Sequence, residues 1–160
     1  MTIQVGDRIP SVNVMTMGES GPEGISTDTI FQGKTVALFG VPGAFTPTCS
    51  ARHLPGFVQH ADEIKGKGID SIVCVAVNDV FVMDAWGKDQ NADDKVLMIA
   101  DGDAEFTKAA GLELDLHGKG LGLRNQRFSM VVEDGVVKSM NIDPPGAFEA
   151  TSAEEMLKGL

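Results

Sequence analysis

Three short stretches contain almost nothing but apolar residues: Thr35–Gly40 (TVALFG), Ser71–Val77 (SIVCVAV) and Val96–Ala100 (VLMIA). A strand with one wet face alternates apolar and polar residues, whereas a strand that is apolar throughout is covered on both faces. These runs therefore belong in the middle of a sheet with helices on either side. Arg127–Val132 (RFSMVV) and Val136–Met140 (VVKSM) flank Glu133, Asp134 and Gly135, a hairpin signature that adds antiparallel strands. A further strand is expected around Ser11–Thr16. Residues 18–24 (GESGPEG) read as a polar loop.

Helical spacing fills the gaps. Leu54, Phe57, Val58, Ala61 and Ile64 repeat on one face, and Gly66 and Gly68 end the run. Phe81–Lys88 is a second helix, capped by Asn78 or Asp79, and Ala104–Ala110 a third, closed by Gly111. The last runs from Ser152 to Leu160, with Glu155 three residues after Ser152 as in a capping box. This order predicts an α/β chain with a mixed central sheet and helices on both faces. The 160 residues (16.9 kDa) are expected to form a single domain. A chain of this length buries roughly two-thirds of its unfolded surface, so it needs no disulfide or metal to fold.

Charge narrows the function. Asp plus Glu number 23 against 13 Lys plus Arg, a net charge of -10. Nucleic-acid binding draws on cationic contacts to phosphate, so that class is disfavoured. No apolar run approaches the roughly 20 residues of a spanning helix. The first ten residues carry neither a basic segment followed by an apolar one nor Arg-rich transit character, so a cytosolic location is expected. Two cysteines do not make a disulfide framework and fit a reducing compartment.

In open α/β sheets, ligands bind beyond the carboxyl ends of parallel strands. Here that is the segment after Gly40, Val41 to Ser50 (VPGAFTPTCS), which follows a strand and precedes a helix. With Thr46 as N-cap, Pro47 falls at the first helical position, where its missing N–H costs nothing. Cys49 then falls at the third, where an unpaired backbone N–H and the positive end of the helix favour a negatively charged sulfur. By capping geometry the Thr46 hydroxyl lies near the same amide. The bland alternative is a small buried cysteine in a packed helix; the strand-to-helix position and the Thr-Pro-x-Cys spacing favour reactivity.

Pro42, Thr46 and Cys49 together make the pattern P-x-x-x-T-x-x-C, which matches the active-site pattern of the peroxiredoxins. The wider string from Pro42 to Cys49 resembles their type II, or peroxiredoxin-5-like, subfamily. The resemblance continues through Val75–Asp79, Phe81, Val82, Trp86 and Arg127–Val132 and covers essentially the whole chain. It implies a thioredoxin-like fold and a thiol peroxidase reducing hydrogen peroxide and alkyl hydroperoxides. Cys49 would be the peroxidatic nucleophile, oxidised to a sulfenic acid. Thr46 would orient the peroxide, Pro42 would shield the site and Arg127 would supply a fixed cation. The resemblance also implies a homodimer; no cofactor or metal is expected.

Cys74 lies within the apolar run Ile72–Val77, where a cysteine is most often a small core residue; the sharper alternative is a resolving cysteine for Cys49, which buried thiols serve poorly. Some members of the subfamily carry a resolving cysteine near the C-terminus. The matching stretch here, Gly146–Ser152 (GAFEATS), has none. That departure favours regeneration by an external thiol, glutathione or glutaredoxin ahead of thioredoxin. Two other readings stand beside this one. A thiol–disulfide oxidoreductase on the same fold would want a Cys-x-x-Cys pair, which is absent. A redox sensor would oxidise Cys49 slowly.

Several side chains get plainer expectations. His53 stands four residues after Cys49, a spacing that could pair them on a metal, but no further ligands present themselves and an exposed helix position is the default. His60 and Arg124 are expected at the surface. His117–Gly122 (HGKGLG) is expected as a flexible connection, with Leu121 at the pocket in similar proteins. Phe45 is expected at a pocket wall or an interface.

Overall fold

The computed structural model describes residues 1–160. Strands β1 (Asn13–Gly18) and β2 (Gly21–Ser26) precede helix α1 (Thr27–Phe31) and strand β3 (Thr35–Gly40). A π-helical turn over Cys49–His53 runs into α2 (Leu54–Gln59) and α3 (Ala61–Lys65). Then come β4 (Ser71–Ala76), α4 (Val80–Asp89), β5 (Leu97–Ala100) and α5 (Glu105–Ala110). The chain ends with β6 (Glu113–Leu116), β7 (Gly122–Asn125), β8 (Arg127–Glu133), β9 (Val136–Asp143) and α6 (Ala153–Lys158).

Seven strands form one mixed sheet in the order β2-β1-β5-β4-β3-β8-β9. The three apolar runs stand side by side in it as β5, β4 and β3, mutually parallel. Alternate residues of each serve different layers. Val36, Leu38, Val73 and Val75 pack with Ile30 and Phe31 of α1 and Phe106 and Ala110 of α5. Ala37, Phe39, Ile72 and Cys74 pack with Phe57 of α2, Ile64 of α3, Trp86 of α4 and Met156 of α6. The sheet is thus covered on both faces, and the architecture is the expected thioredoxin-like one. Gly40 leaves room for the Phe128 ring of the neighbouring strand, which a Cβ there would strike.

The punctuation of the helices follows local chemistry. Asp79 accepts from Val82 N at 2.8 Å and caps α4, and Ser152 accepts from Glu155 N at 3.1 Å and caps α6. Gly111, at φ +68, closes α5. Asp134 and Gly135 both take positive φ in the tight β8–β9 turn.

Four features depart from the sequence reading. The first strand begins at Asn13 and runs to Gly18, and Gly21–Ser26 is a strand, not loop. That segment (GPEGIS) has poor strand propensity and is held by register against β1, with Pro22 tolerated on an edge strand. The short helix α1 has no periodic pattern to announce it. The apolar helix through Ile64 breaks at His60 (φ -97, ψ 11) into α2 and α3. Residues 117–121 are the loop of an ordered β6–β7 hairpin rather than a loose connection.

The topology fixes where chemistry can sit. β3 and β4 end on the same side of the sheet, and the β3-to-α2 connection emerges there. β8 is antiparallel to β3 with Gly40 opposite Phe128, so Arg127 enters the sheet beside the start of that connection.

Candidate active site

Several contacts hold the segment after β3 in place. Val41 N donates to Val75 O at 3.1 Å, extending the strand by one residue, and Ala44 N donates to Asn78 Oδ1 at 3.0 Å. Ser50 N reaches Thr46 O at 2.9 Å, the first helical bond, so Pro47 and Cys49 occupy the predicted first and third positions. The Thr46 hydroxyl does not cap the amide of Cys49. It donates to Gly43 O at 2.6 Å, which commits its proton and leaves it an acceptor toward anything in front of it. The helix then widens, Leu54 N bonding back to Cys49 O across a π turn, a form that recurs at functional sites.

Cys49 is buried, and Arg127 meets it. Arg127 Nη2 donates to Cys49 Sγ at 3.1 Å and Nη1 donates to His53 Nδ1 at 2.8 Å. His53 Nε2 lies 2.9 Å from Thr151 O. A carbonyl only accepts, so His53 carries its proton on Nε2 and offers Nδ1 to the guanidinium. Thr151 is itself fixed: Asp143 takes N–H bonds from Glu149, Ala150 and Thr151 and the Thr151 hydroxyl at 2.7 Å. The Arg127 guanidinium carbon stands 5.7 Å from the centre of the Phe148 ring. The fold's ion pairs join His60 to Glu63 and Glu154, Lys88 to Asp84, His117 to Asp115 and Lys158 to Glu155, and leave Arg127 out. A buried cation whose partners are a sulfur and a neutral imidazole has no carboxylate to absorb its field.

His53 therefore stands elsewhere than expected: it is fully buried and not a helix-surface residue. Both ring nitrogens are engaged, so neither is free to share a metal with Cys49. The α-helical period places residue 53 one turn above residue 49, but the π turn that brings it against Arg127 leaves no mark in the sequence. Burial, then the Arg127 charge, lowers its pKa from the ordinary 6.5 to about 3. The folded value lies below the unfolded one, so the unfolded chain takes up the proton first. Stability conferred by the neutral ring is complete above pH 6.5 and is lost as pH falls toward 3, by up to about 1.4 kcal/mol per pH unit. His53→Gln keeps an acceptor for Arg127 and a donor for Thr151 O without a titrating ring. Urea unfolding of this variant will show a flatter loss of stability than wild type between about pH 6 and pH 4; equal slopes would mean that His53 is not held neutral.

Arg124 also departs from its expected surface role. It is half-buried, donates from Nε to Leu121 O at 2.9 Å and from Nη1 to Pro42 O at 3.3 Å. Its Nη1 lies 2.9 Å from where a Gly43 Cβ would stand, so glycine lets the β6–β7 hairpin close over the reactive segment. Cys74 lies fully buried in β4 with Phe39 opposite, and burial pushes its thiol pKa up. Asp143 drew no attention in the sequence. Burial pushes its carboxyl up, but the N–H and hydroxyl donors outweigh this and leave it below its ordinary value.

A cavity of about 280 Å³ opens over this cluster. Pro42, Thr48, Leu121, Gln126 and Arg127 are among the residues that line it. A larger cleft of about 430 Å³ lies beside Arg8 and Asp134, at the other end of β3 and β8 and away from Cys49. Pro42, Cys49 and Arg127 are thus brought to one place, with the hydroxyl of Thr46 turned to the backbone of the same loop. A buried sulfur facing a fixed N–H donor and a small opening suits nucleophilic attack on a small electrophile that sheds an anion.

Comparison with known proteins points the same way. The Redoxin family pattern matches residues 4–157. The chain is 48% identical over 159 residues to Peroxiredoxin-2D of Arabidopsis thaliana, covering 99% of this chain and 98% of that protein. Among solved structures, reduced Prx3 of Vibrio vulnificus in complex with hydrogen peroxide superposes with a TM-score of 0.95 at 48% identity, covering 99% of both chains. Peroxiredoxin 5 of Alvinella pompejana superposes with a TM-score of 0.86 at 35% identity, covering 98% of this chain and 96% of the other.

Proposed function

The chain belongs to the type II peroxiredoxins, which are thiol peroxidases, and from that premise we propose that Cys49 is its peroxidatic cysteine. Its substrates are hydrogen peroxide and small alkyl hydroperoxides. The Cys49 thiolate attacks one peroxide oxygen: an S–O bond forms, the O–O bond breaks, and its electron pair leaves on the second oxygen. That oxygen takes a proton and departs as water or alcohol, and the sulfur is left as a sulfenic acid. The observation that carries this reading is the Arg127 Nη2 donor at 3.1 Å from Sγ, on a buried cation with no carboxylate partner. Negative charge moves from sulfur to the leaving oxygen, and a cation fixed beforehand stabilises that shift without reorganising. Thr46, its proton already given to Gly43 O, accepts the hydrogen bond of the peroxide hydroxyl. Pro42 walls the site. The peroxide in complex with the Vibrio Prx3 supports hydrogen peroxide as a substrate.

Regeneration is by an external thiol. Glutathione condenses with the sulfenic acid to a mixed disulfide and water. Glutaredoxin with a second glutathione then returns the Cys49 thiol and releases glutathione disulfide. Cys74 is unsuited to resolve the sulfenic acid, because it is wholly buried in a central strand and its thiol is held protonated. The cytosol supplies such a reductant. Phe45 and Phe81, 53% and 64% exposed on the two segments joined by the Ala44–Asn78 bond, supply apolar surface for a homodimer.

The test is stopped-flow oxidation of the reduced protein with one equivalent of hydrogen peroxide, followed by intact mass and then glutathione with glutaredoxin. Wild type and Cys74→Ala gain one oxygen at the same rate, and both return to the reduced mass with the glutathione system. The Cys74→Ala core defect costs about 1 kcal/mol of stability and no turnover. Loss of two hydrogens that requires both cysteines would replace the external thiol with an internal disulfide. Reduction by thioredoxin alone would change the partner and keep the peroxidase.

A further inference from the structure

The cavity over Arg127 has a second charged side chain that the reaction above leaves unused. Lys119 lines it from the β6–β7 loop, exposed and outside every ion pair of the fold. The loop that carries it is built. Lys119 N donates to Leu116 O at 3.2 Å, and Arg124 ties Leu121 O to Pro42 O. The carboxylate lining the cavity, and one on its hairpin, are occupied. Asp143, which also lines the cavity, is taken up by residues 149–151, and Asp115 on the same hairpin pairs with His117. The ammonium thus keeps its charge unpaired in the lining of the cavity that Arg127 also lines, on a molecule whose net charge is -10. The lining that Lys119 and Arg127 share includes an apolar set, Leu114, Leu116, Leu121, Pro144 and Pro145. Low-polarity walls strengthen a charge contact at their edge and accommodate carbon chain.

We propose that this cavity is a subsite for a carboxylate-bearing ligand, whose carboxylate pairs with Lys119 while its reactive atom reaches Cys49 and its carbon chain lies on the leucine and proline wall. The inference rests on the peroxidase reading and names a ligand class for the same site. Two sources share this chemistry: an organic hydroperoxide with a distal carboxylate, oxidising Cys49, and a carboxylated thiol, attacking its sulfenic acid. In neither case does Lys119 take part in bond exchange; it positions the ligand.

The experiment has an arm for each source and uses the full chain as wild type, Lys119→Ala and Lys119→Glu. In the first, stopped-flow kcat/KM is measured for a medium-chain ω-hydroperoxyalkanoate and its methyl ester. In the second, protein oxidised with hydrogen peroxide is mixed with glutathione or glutathione diethyl ester, and mixed-disulfide formation is followed by mass. The quantity read is the acid-to-ester ratio within each variant. Wild type prefers the acid by about two- to fivefold in at least one arm. The preference vanishes in Lys119→Ala, inverts in Lys119→Glu and shrinks as salt is raised. The arm that shows it names the source. A wild-type ratio near one in both arms, or a preference untouched by Lys119→Glu, overturns the proposal and leaves the peroxidase reading standing. Failure of hydrogen peroxide itself to oxidise Cys49 overturns both.

Discussion

Cys49→Ser leaves a folded protein that does not consume peroxide. The substitution exchanges one atom at a buried position, and the hydroxyl can still accept from Arg127 Nη2, which now stands 3.1 Å from the sulfur. The Arg127–His53–Thr151 chain does not depend on that atom for its other bonds. What is lost is the nucleophile. A thiolate is soft enough to attack an O–O bond; an alcohol at the same place is protonated and has no base beside it. His53 cannot serve as that base, because its one free lone pair already faces the guanidinium. Peroxide consumption therefore falls to the rate of buffer, and no gain of oxygen appears on the variant by intact mass. The control is Cys74→Ala, which removes the other thiol and keeps the reaction. Residual fast turnover in Cys49→Ser that disappears in the double variant would move the nucleophile to Cys74 and sink the assignment.

What could be read in the sequence depended on whether a single segment carried the signal. β3, β4 and β5 were legible because burial on both faces leaves an apolar run that needs no partner to recognise. Cys49 was legible because strand, Pro47 and helix fix its helical position within one short stretch, and the Ser50 N–Thr46 O bond starts the helix there. The hidden features are those made by two segments together. Gly21–Ser26 is a strand only because β1 lies alongside it. Arg124 looked like a surface residue because nothing local says that its hairpin folds back onto Pro42. His53 was missed for a subtler reason. Four residues after Cys49 and four before Phe57, it shares the helix face that both of them bury, but histidine is by default an exposed helix residue and nothing local announces the arginine that receives it. Its partners, Arg127 and Thr151, lie 74 and 98 residues away. The arginine could be suspected from its place at the head of an apolar strand, but only the sheet register shows that this places it beside the Cys49 loop.

Arg127→Gln is expected to lower kcat/KM for hydrogen peroxide by about 10²–10³, the usual cost, some 2.7–4 kcal/mol, of losing one prearranged donor to developing charge. Glutamine is short and neutral, so the sulfur and the leaving oxygen lose a full charge, and no neighbouring cation replaces it in the buried cluster. Arg127→Lys keeps the charge but not the fork. A single ammonium cannot hold the Nδ1 of His53 and Sγ in the geometry that Nη1 and Nη2 now share, so this variant recovers only part of the loss. If His53 works by aiming the guanidinium, removing it after Arg127 is gone should cost nothing more. His53→Leu alone slows the reaction by less than Arg127→Gln, His53→Gln restores most of it, and His53→Leu with Arg127→Gln is no slower than Arg127→Gln. Additive losses in that cycle, with thermal stability unchanged, would mean that His53 touches the reaction by itself and that the chain from Asp143 through Thr151 to Cys49 is not what sets the cation.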